Sequence, residues 1–434
     1  MFLVYTHKIT PRFTYVMKHV FVQMLQVEVK FSTKVEDFIA HNGPKITYCK
    51  QPLQNEFHIR SNDLLFEQGF DDIEIKIHDW EETPCFFPAG EKSALPFDVF
   101  AAAFYLMSRY EEYVPHVKDE HGRFPATESL AYKHHFLDVP VVDIWIKRLK
   151  QALLRRFPDT VFPDRKPQVL SIIDVACAYT FKKKGFVRSL GGSLTDLFNL
   201  KVGRVIERYK VLLGLTPDPS DNFDKLTWFK NKYGINTIFF FMVGEYGTYD
   251  KNISLNNKSF RELMKSVADY HIVSLMASYQ SFKNIPKLRE ERKKLTEIIN
   301  RPIKRVRLRL DRLDLPDTYK DLIEAEFTED YTMGYPKNVG FRAGTCTPFK
   351  FYDLSLEMQT ILKVHPVCLQ DLALKKMNPS KAEETFFELY QQVKDVNGCF
   401  AAVFSNESMG NYGNEKGFRK FYQKVYKKIC SENR

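Results

Sequence analysis

Past residue 167 the chain alternates short apolar runs with amphipathic stretches. The short runs at 169–175, 237–243, 272–277, 306–310, 340–343, 361–365 and 400–405 predict strands. Apolar residues at helical spacing predict helices over 222–233, 259–270, 287–300, 317–326, 381–396 and 415–428. Strand and helix in alternation imply a parallel sheet, open or closed into a barrel. The first part reads differently. Helical spacing covers 97–113 and 141–157, the latter with Pro140 just before its start, and the polar, glycine-punctuated stretch 116–137 between them reads as an ordered loop. Pro158, Pro163 and Pro167 fall in the polar stretch 156–167, where proline bars helix continuation. The expected domains are therefore 1–157, of α+β type, and 168–434. The segment 181–219 is long, basic and irregular, and reads as an insertion over the top of the first barrel strand.

Composition adds bounds. A chain of 434 residues with 44% hydrophobic content buries a large core. Its 37 Phe and 22 Tyr read first as core packing and second as surfaces on which sugars stack. The net charge of +10 favours acidic partners, yet the basic runs at 182–184, 292–294 and 304–309 are short and scattered, and no RNA-binding signature is present; no nucleic-acid partner is expected. Seven cysteines, widely spaced and without a Cys-x-x-Cys pair, point to reduced thiols in a cytoplasm. His7, Lys8, Arg12 and Lys18 interrupt any apolar run long enough for a signal peptide, and no stretch approaches a membrane span.

In a parallel barrel, chemistry gathers at the carboxyl ends of the strands. Asp174, Met276, Arg309, Arg342, His365 and Ser405 fall at or near such ends. A hydrolytic zinc site takes three histidine or carboxylate ligands and keeps one position for water. After residue 167 only His271 and His365 are available, and His271 begins its strand, at the wrong end. Asp174, Asp311, Asp371 and Glu407 remain as hard-cation ligands without a motif, so no metal ligand is assigned. Asp174 follows the apolar run 169–173, where a carboxylate needs a partner to offset its desolvation; it is either functional or a cap for the next segment. Arg342, between Gly340 and Gly344, is a candidate partner across the barrel. Cys177 and Cys346 lack a nucleophile signature and read as buried thiols, and no glycine-lysine phosphate loop occurs.

Several segments carry a resemblance. They include Ser108-Arg109-Tyr110-Glu111-Glu112-Tyr113, Lys118-Asp119-Glu120-His121-Gly122-Arg123-Phe124, Asp174-Val175-Ala176, Tyr249-Asp250-Lys251-Asn252-Ile253 and Gly340-Phe341-Arg342-Ala343-Gly344-Thr345. Together they resemble the polysaccharide deacetylase superfamily, in a Bacteroidetes-type subgroup with an amino-terminal accessory domain. The resemblance implies a distorted (β/α) barrel of about seven strands. It also implies an aspartate pair at the end of the first strand, one a base and one a metal ligand. Here the first member is Ile172 and Asp174 fits the second. The implied metal-binding histidine is Met276, a further subgroup histidine is Arg309, and the implied acid before Asn406-Glu407-Ser408 is Ser405. Arg342, which the family uses to orient the catalytic aspartate, is kept.

Methionine and serine do not replace imidazole, and Arg309 repels a dication. The expected protein is polysaccharide-deacetylase-like and catalytically degenerate, without a cofactor, and retains a groove for an acetylated or amino-sugar glycan. Asp174 and Arg342 are the candidate catalytic remnants; Tyr279, Arg309, Phe349 and Asn406 are the candidate substrate contacts. Two rivals stay open: an active deacetylase holding a divalent metal such as zinc on rearranged ligands, and a non-catalytic scaffold for glycan-assembly enzymes.

Overall fold

The computed structural model describes residues 1–410 and 417–432. Its amino-terminal layer is a parallel sheet of β1 (Phe2–Thr6), β2 (Val29–Ser32), β3 (Lys45–Cys49) and β4 (Phe57–Arg60), ordered β2-β1-β3-β4. A small antiparallel hairpin, β5 (His78–Trp80) with β6 (Thr83–Cys85), follows. Helix Val99–Met107 is apolar on all sides, and every one of its residues is buried, as such a sequence requires. The spacing over 97–113 predicts one helix, but the helix ends at Met107. Arg109 adopts a left-handed conformation, φ 56°, and turns the chain into Tyr110–Glu112, which aims Glu111 and Glu112 inward.

The second sheet curls into a distorted barrel. It contains β7 (Gln168–Val175), β8 (Asn236–Met242), β9 (Ile272–Ala277), β10 (Arg305–Leu308), β11 (Glu329–Asp330), β12 (Phe349–Asp353), β13 (Met358–Val364), β14 (Leu369–Gln370) and β15 (Cys399–Ser405). The order is β12-β13-β11-β10-β9-β8-β7-β15-β14, parallel except for β12 against β13. The run from β13 into β14 links the two ends of this order. Val367 N–H donates to Met333 on the β11 side, whereas Cys368 N–H donates to Ala401 of β15. Counting that run as one position gives a ring of seven. Successive side chains alternate faces. Leu170, Ile172, Phe240, Met276 and Val403 pack inside the ring, while Ile173, Phe239, Leu275 and Phe404 join the large core under the helices.

Two further expectations change. Residues 340–343 are a turn, not a strand: Gly340 has φ 125°, its N–H donates to Cys368 O at 2.8 Å, and the Phe341 N–H donates to Leu137 O at 2.7 Å. A Cβ at Gly340 would collide with the Leu137 carbonyl, so the glycine lets the two backbones meet. The irregular insertion holds two helices, Phe186–Phe198 and Val202–Leu212. The last helix runs Phe418–Glu432; the expected start at Glu415 and Lys416 lies outside the described residues.

A buried ion network ties the layers together. Glu112 accepts from Arg109 Nε at 2.8 Å, and from Arg342 Nε and Nη2 at 2.9 and 2.7 Å; all three side chains are 1% exposed. Burial alone raises the Glu112 carboxyl, but the guanidinium groups of Arg342 and Arg109 outweigh it and hold it below its ordinary 4.5. A depressed carboxyl contributes stability that is present above the ordinary value and lost as the pH falls through the folded one. Glu112→Gln is therefore expected to cost about 3–5 kcal/mol in urea unfolding at neutral pH, by leaving the Arg342 guanidinium buried without a carboxylate and Arg109 with Glu111 alone. The gap to wild type should narrow on acidification.

Candidate functional site: a guanidinium-filled barrel mouth

Alternation along the strands decides what meets at the mouth. Asp174 lies in register with Phe240 on one side and Ser405 on the other, and Arg307 lies in register with Met276. Arg307 therefore points into the barrel. Its Nε stands 3.1 and 2.9 Å from the two Asp174 oxygens, Nη1 donates to Tyr331 O at 2.6 Å, and Nη2 donates to Gln370 Oε1 at 3.0 Å. Asp311 Oδ1 is a further 2.7 Å from Nη2, and Gln370 Nε2 donates to Asp311 Oδ2 at 2.6 Å. Positive φ at Leu310 and Asp311 turns the chain back after β10, which brings Asp311 to its i−4 neighbour. The guanidinium is 2% exposed and spends its donors on two carboxylates, an amide and a carbonyl. Burial opposes its charge, but Asp174 and Asp311 more than compensate and push its pKa up. Burial pushes Asp174 up as well, with Arg307 offsetting part of the effect.

The residues do not fit a zinc site. Among the described residues, no group of three or more His, Cys, Asp or Glu side chains is placed to hold an ion. Met276 is 1% exposed within the apolar filling of the barrel. His365 stacks on Tyr331 at 4.2 Å with its Nε2 3.1 Å from Glu329, and His271 bonds Thr227 Oγ1 at 2.8 Å near the start of β9. Asp371 accepts from Ser405 N–H at 2.8 Å and from the Ser408 hydroxyl, so it braces the turn after β15. Cys177 and Cys346 are buried thiols whose pKa burial pushes up.

The other candidate residues separate. Arg342 sits on Glu112, not Asp174, because the 340–344 turn carries it toward the amino-terminal layer. Asn406 is fully buried; its Nδ2 donates to Cys177 O and Ser220 O at 3.0 and 3.3 Å, which ties the end of β15 to neighbouring loops. Phe349 lines a separate hollow with Tyr15, Lys18, His19 and Val22. Arg309 and Tyr279 belong together. Arg309 donates to Tyr249 O at 3.3 Å, and Tyr249 stacks on Tyr279 with centroids 4.1 Å apart. Arg312 lies 4.0 Å over the Tyr279 ring, and His121 from the amino-terminal loop meets both tyrosines edge-on. Tyr249 remains 43% exposed, so the pair forms an accessible aromatic shelf.

Beside this shelf opens a cavity of about 570 Å³, lined by Ala176 and Cys177 from the end of β7, by Glu407 and by Arg309. The helical insertion supplies the opposite wall. Lys184, Arg188, Arg204, Arg208, Lys251 and Arg309 face the space against one lining carboxylate, Glu407. Arg208 is occupied by Asp196, but Lys184, Arg188 and Lys251 make no ion pair with a described carboxylate. Arg188 instead lies 4.1 Å over Tyr246, and Lys251 lies 4.9 Å from the same ring. Sequence reasoning picked out Arg309 but missed Arg307, Tyr249 and the cations of the insertion. The period of two along 305–309 was the available signal for Arg307.

Residues 2–158 match the model of a family described as "Family of unknown function (DUF7033)". No curated protein matches the chain. Among solved structures, it is similar to a putative polysaccharide deacetylase from Mycobacterium smegmatis at 15% identity and a TM-score of 0.39, over 63% of this chain and 92% of that one. A mutant of BA3943, a CE4 family pseudoenzyme with restored enzymatic activity, gives 8% identity and a TM-score of 0.30, over 61% of this chain and 64% of that one. The polysaccharide deacetylase Bc1974 from Bacillus cereus gives 13% and 0.29, over 61% and 89%. With scores this low, the functional reading rests on this chain's own residues.

Removing the central cation should expose its role. Arg307→Met leaves Asp311 buried and Asp174 half-buried without a cation, at a cost of about 3–5 kcal/mol in urea unfolding at pH 7. The deficit should shrink as the pH falls and the stranded carboxylates take up protons. Equal stability of variant and wild type at pH 7 would show that the guanidinium does not balance the pair.

Proposed function

We propose that this chain is a polysaccharide-deacetylase-like carbohydrate-binding protein in which a guanidinium has replaced the hydrolytic centre. The observation that carries this reading is the seat of Arg307: it engages Asp174, the aspartate that the sequence resemblance aligns with a metal ligand, from inside the barrel. A carboxylate held this way has its lone pairs turned to a fixed cation, and Met276 and Ser405 bring no imidazole to the same mouth. The scaffold rival has no need of an open cavity beside an exposed aromatic shelf, whereas a glycan reading uses both. Such a cavity is of the size that accepts a few sugar units, and the exposed Tyr249, backed by Tyr279, offers an aromatic surface to a sugar ring.

The charge of the cavity narrows the glycan. Of the acetylated and amino-sugar chains that the resemblance implies, free amino sugars carry positive charge and are repelled by Lys184, Arg188, Lys251 and Arg309. An N- or O-acetylated chain that also bears carboxylate, phosphate or sulfate is favoured on both counts. The seven free cysteines support a reducing, cytoplasmic setting.

Calorimetry with acidic acetylated oligosaccharides, neutral chitin oligomers and chitosan oligomers tests the reading. The acidic ligands are expected to bind, chitosan is not, and Lys251→Ala with Arg309→Ala should weaken binding about tenfold. No acetate should be released. Metal-dependent acetate release by wild type would instead establish the active deacetylase.

A further inference from the structure

The insertion that walls the cavity has its polarity reversed. On helix Phe186–Phe198 the residues Phe186, Leu190, Leu194, Leu197 and Phe198, spaced by three or four and therefore on one face, are all exposed, at 46–88%. Helix Val202–Leu212 repeats the pattern with Val202, Ile206 and Tyr209 at 45–53%, continued by Leu213 at 73%. Three polar residues lie inside. Ser193, Asp196 and Arg208 are at most 7% exposed: Arg208 pairs with Asp196 and donates to Ser189 O at 2.7 Å and Ser193 Oγ at 3.3 Å. A Cβ at Gly192 would collide with that guanidinium, so the glycine admits the ion pair between the helices. Phe198 and Leu200, at the turn joining the helices, are 88% and 87% exposed. A water-facing hairpin buries its leucines; this one exposes them and buries the Arg208–Asp196 pair, and an apolar medium against its outer face removes the cost.

We propose that this hairpin docks the protein on an anionic lipid surface, lying in the interface with Phe198 and Leu200 leading. The charge decides between occupants. Residues 181–215 carry eight Lys and Arg against two acidic residues, Asp196 and Glu207; Lys201 and Lys210, which at helical spacing flank the apolar residues of the second helix, are exposed, as is Lys183. Apolar stripes bordered by cations match a bilayer whose headgroups are negative. A second copy of the same face brings like charges together and is disfavoured. No helix among the described residues is long and apolar enough to cross a membrane, so the contact is with one leaflet. Because the same hairpin walls the basic cavity, docking sets the barrel mouth beside the lipid headgroups.

Flotation of the full chain with vesicles tests this. Vesicles containing phosphatidylglycerol are expected to carry the protein up the gradient, vesicles of phosphatidylcholine alone to carry about tenfold less, and added salt to weaken the binding. Phe198→Ser with Leu200→Ser, and separately Lys201→Glu with Lys210→Glu, should each abolish flotation while leaving the melting temperature and the circular dichroism unchanged, since all four side chains are exposed. Failure to float with either vesicle overturns the proposal, as does retained flotation of both variants. Light scattering that shows a wild-type dimer, dispersed by the serine variant and indifferent to vesicles, overturns it in favour of a second copy.

Discussion

The barrel mouth is organised by one guanidinium. Arg307 reaches the interior from β10 and meets Asp174 from β7, Asp311 from the turn after its own strand, Gln370 from β14 and the Tyr331 carbonyl beyond β11. Those contacts draw on strands on both sides of the ring, so the ion cluster fixes the closure of the sheet as well as the charge of its end. A buried cation must be paired and hydrogen-bonded to be tolerated. The polar lining of the mouth meets that requirement, and the apolar filling below it, from Met276 down to Leu170, needs no further polar group.

The same principle operates at a second place. Glu112 receives two arginines at the junction between the amino-terminal layer and the barrel, and Gly340 lets the two backbones touch there. The amino-terminal loop then reaches the mouth itself: Arg123 donates to Leu310 O, and the His121 carbonyl accepts from Arg312 Nε at 3.0 Å. The aromatic shelf of Tyr249 and Tyr279 is thus held from both parts of the chain.

The strands β7, β8, β9 and β15 are legible because apolar residues on both faces make long continuous runs. β11 and β14 have two residues each, too short for any period, and they exist because neighbouring strands and Arg307 hold them. The 340–343 segment reads as a strand, but Gly340 serves a close backbone contact that no local pattern encodes. Asp174 was identified by its place after an apolar run, whereas Arg307 was passed over for Arg309, the more visible cation at the strand end. The hairpin was hidden by its inverted polarity: leucines at helical spacing were present, mixed with a charge excess that reads as loop.

Elemental analysis of the full-length protein, after incubation with zinc, cobalt or nickel and removal of the excess by gel filtration, tests the central claim most directly. The account predicts no ion retained in stoichiometric amount, because Asp174 is committed to Arg307 and, among the described residues, belongs to no group of three ligands placed to hold an ion. One tightly held ion per chain would contradict it and would mean that Arg307 yields its place to a metal.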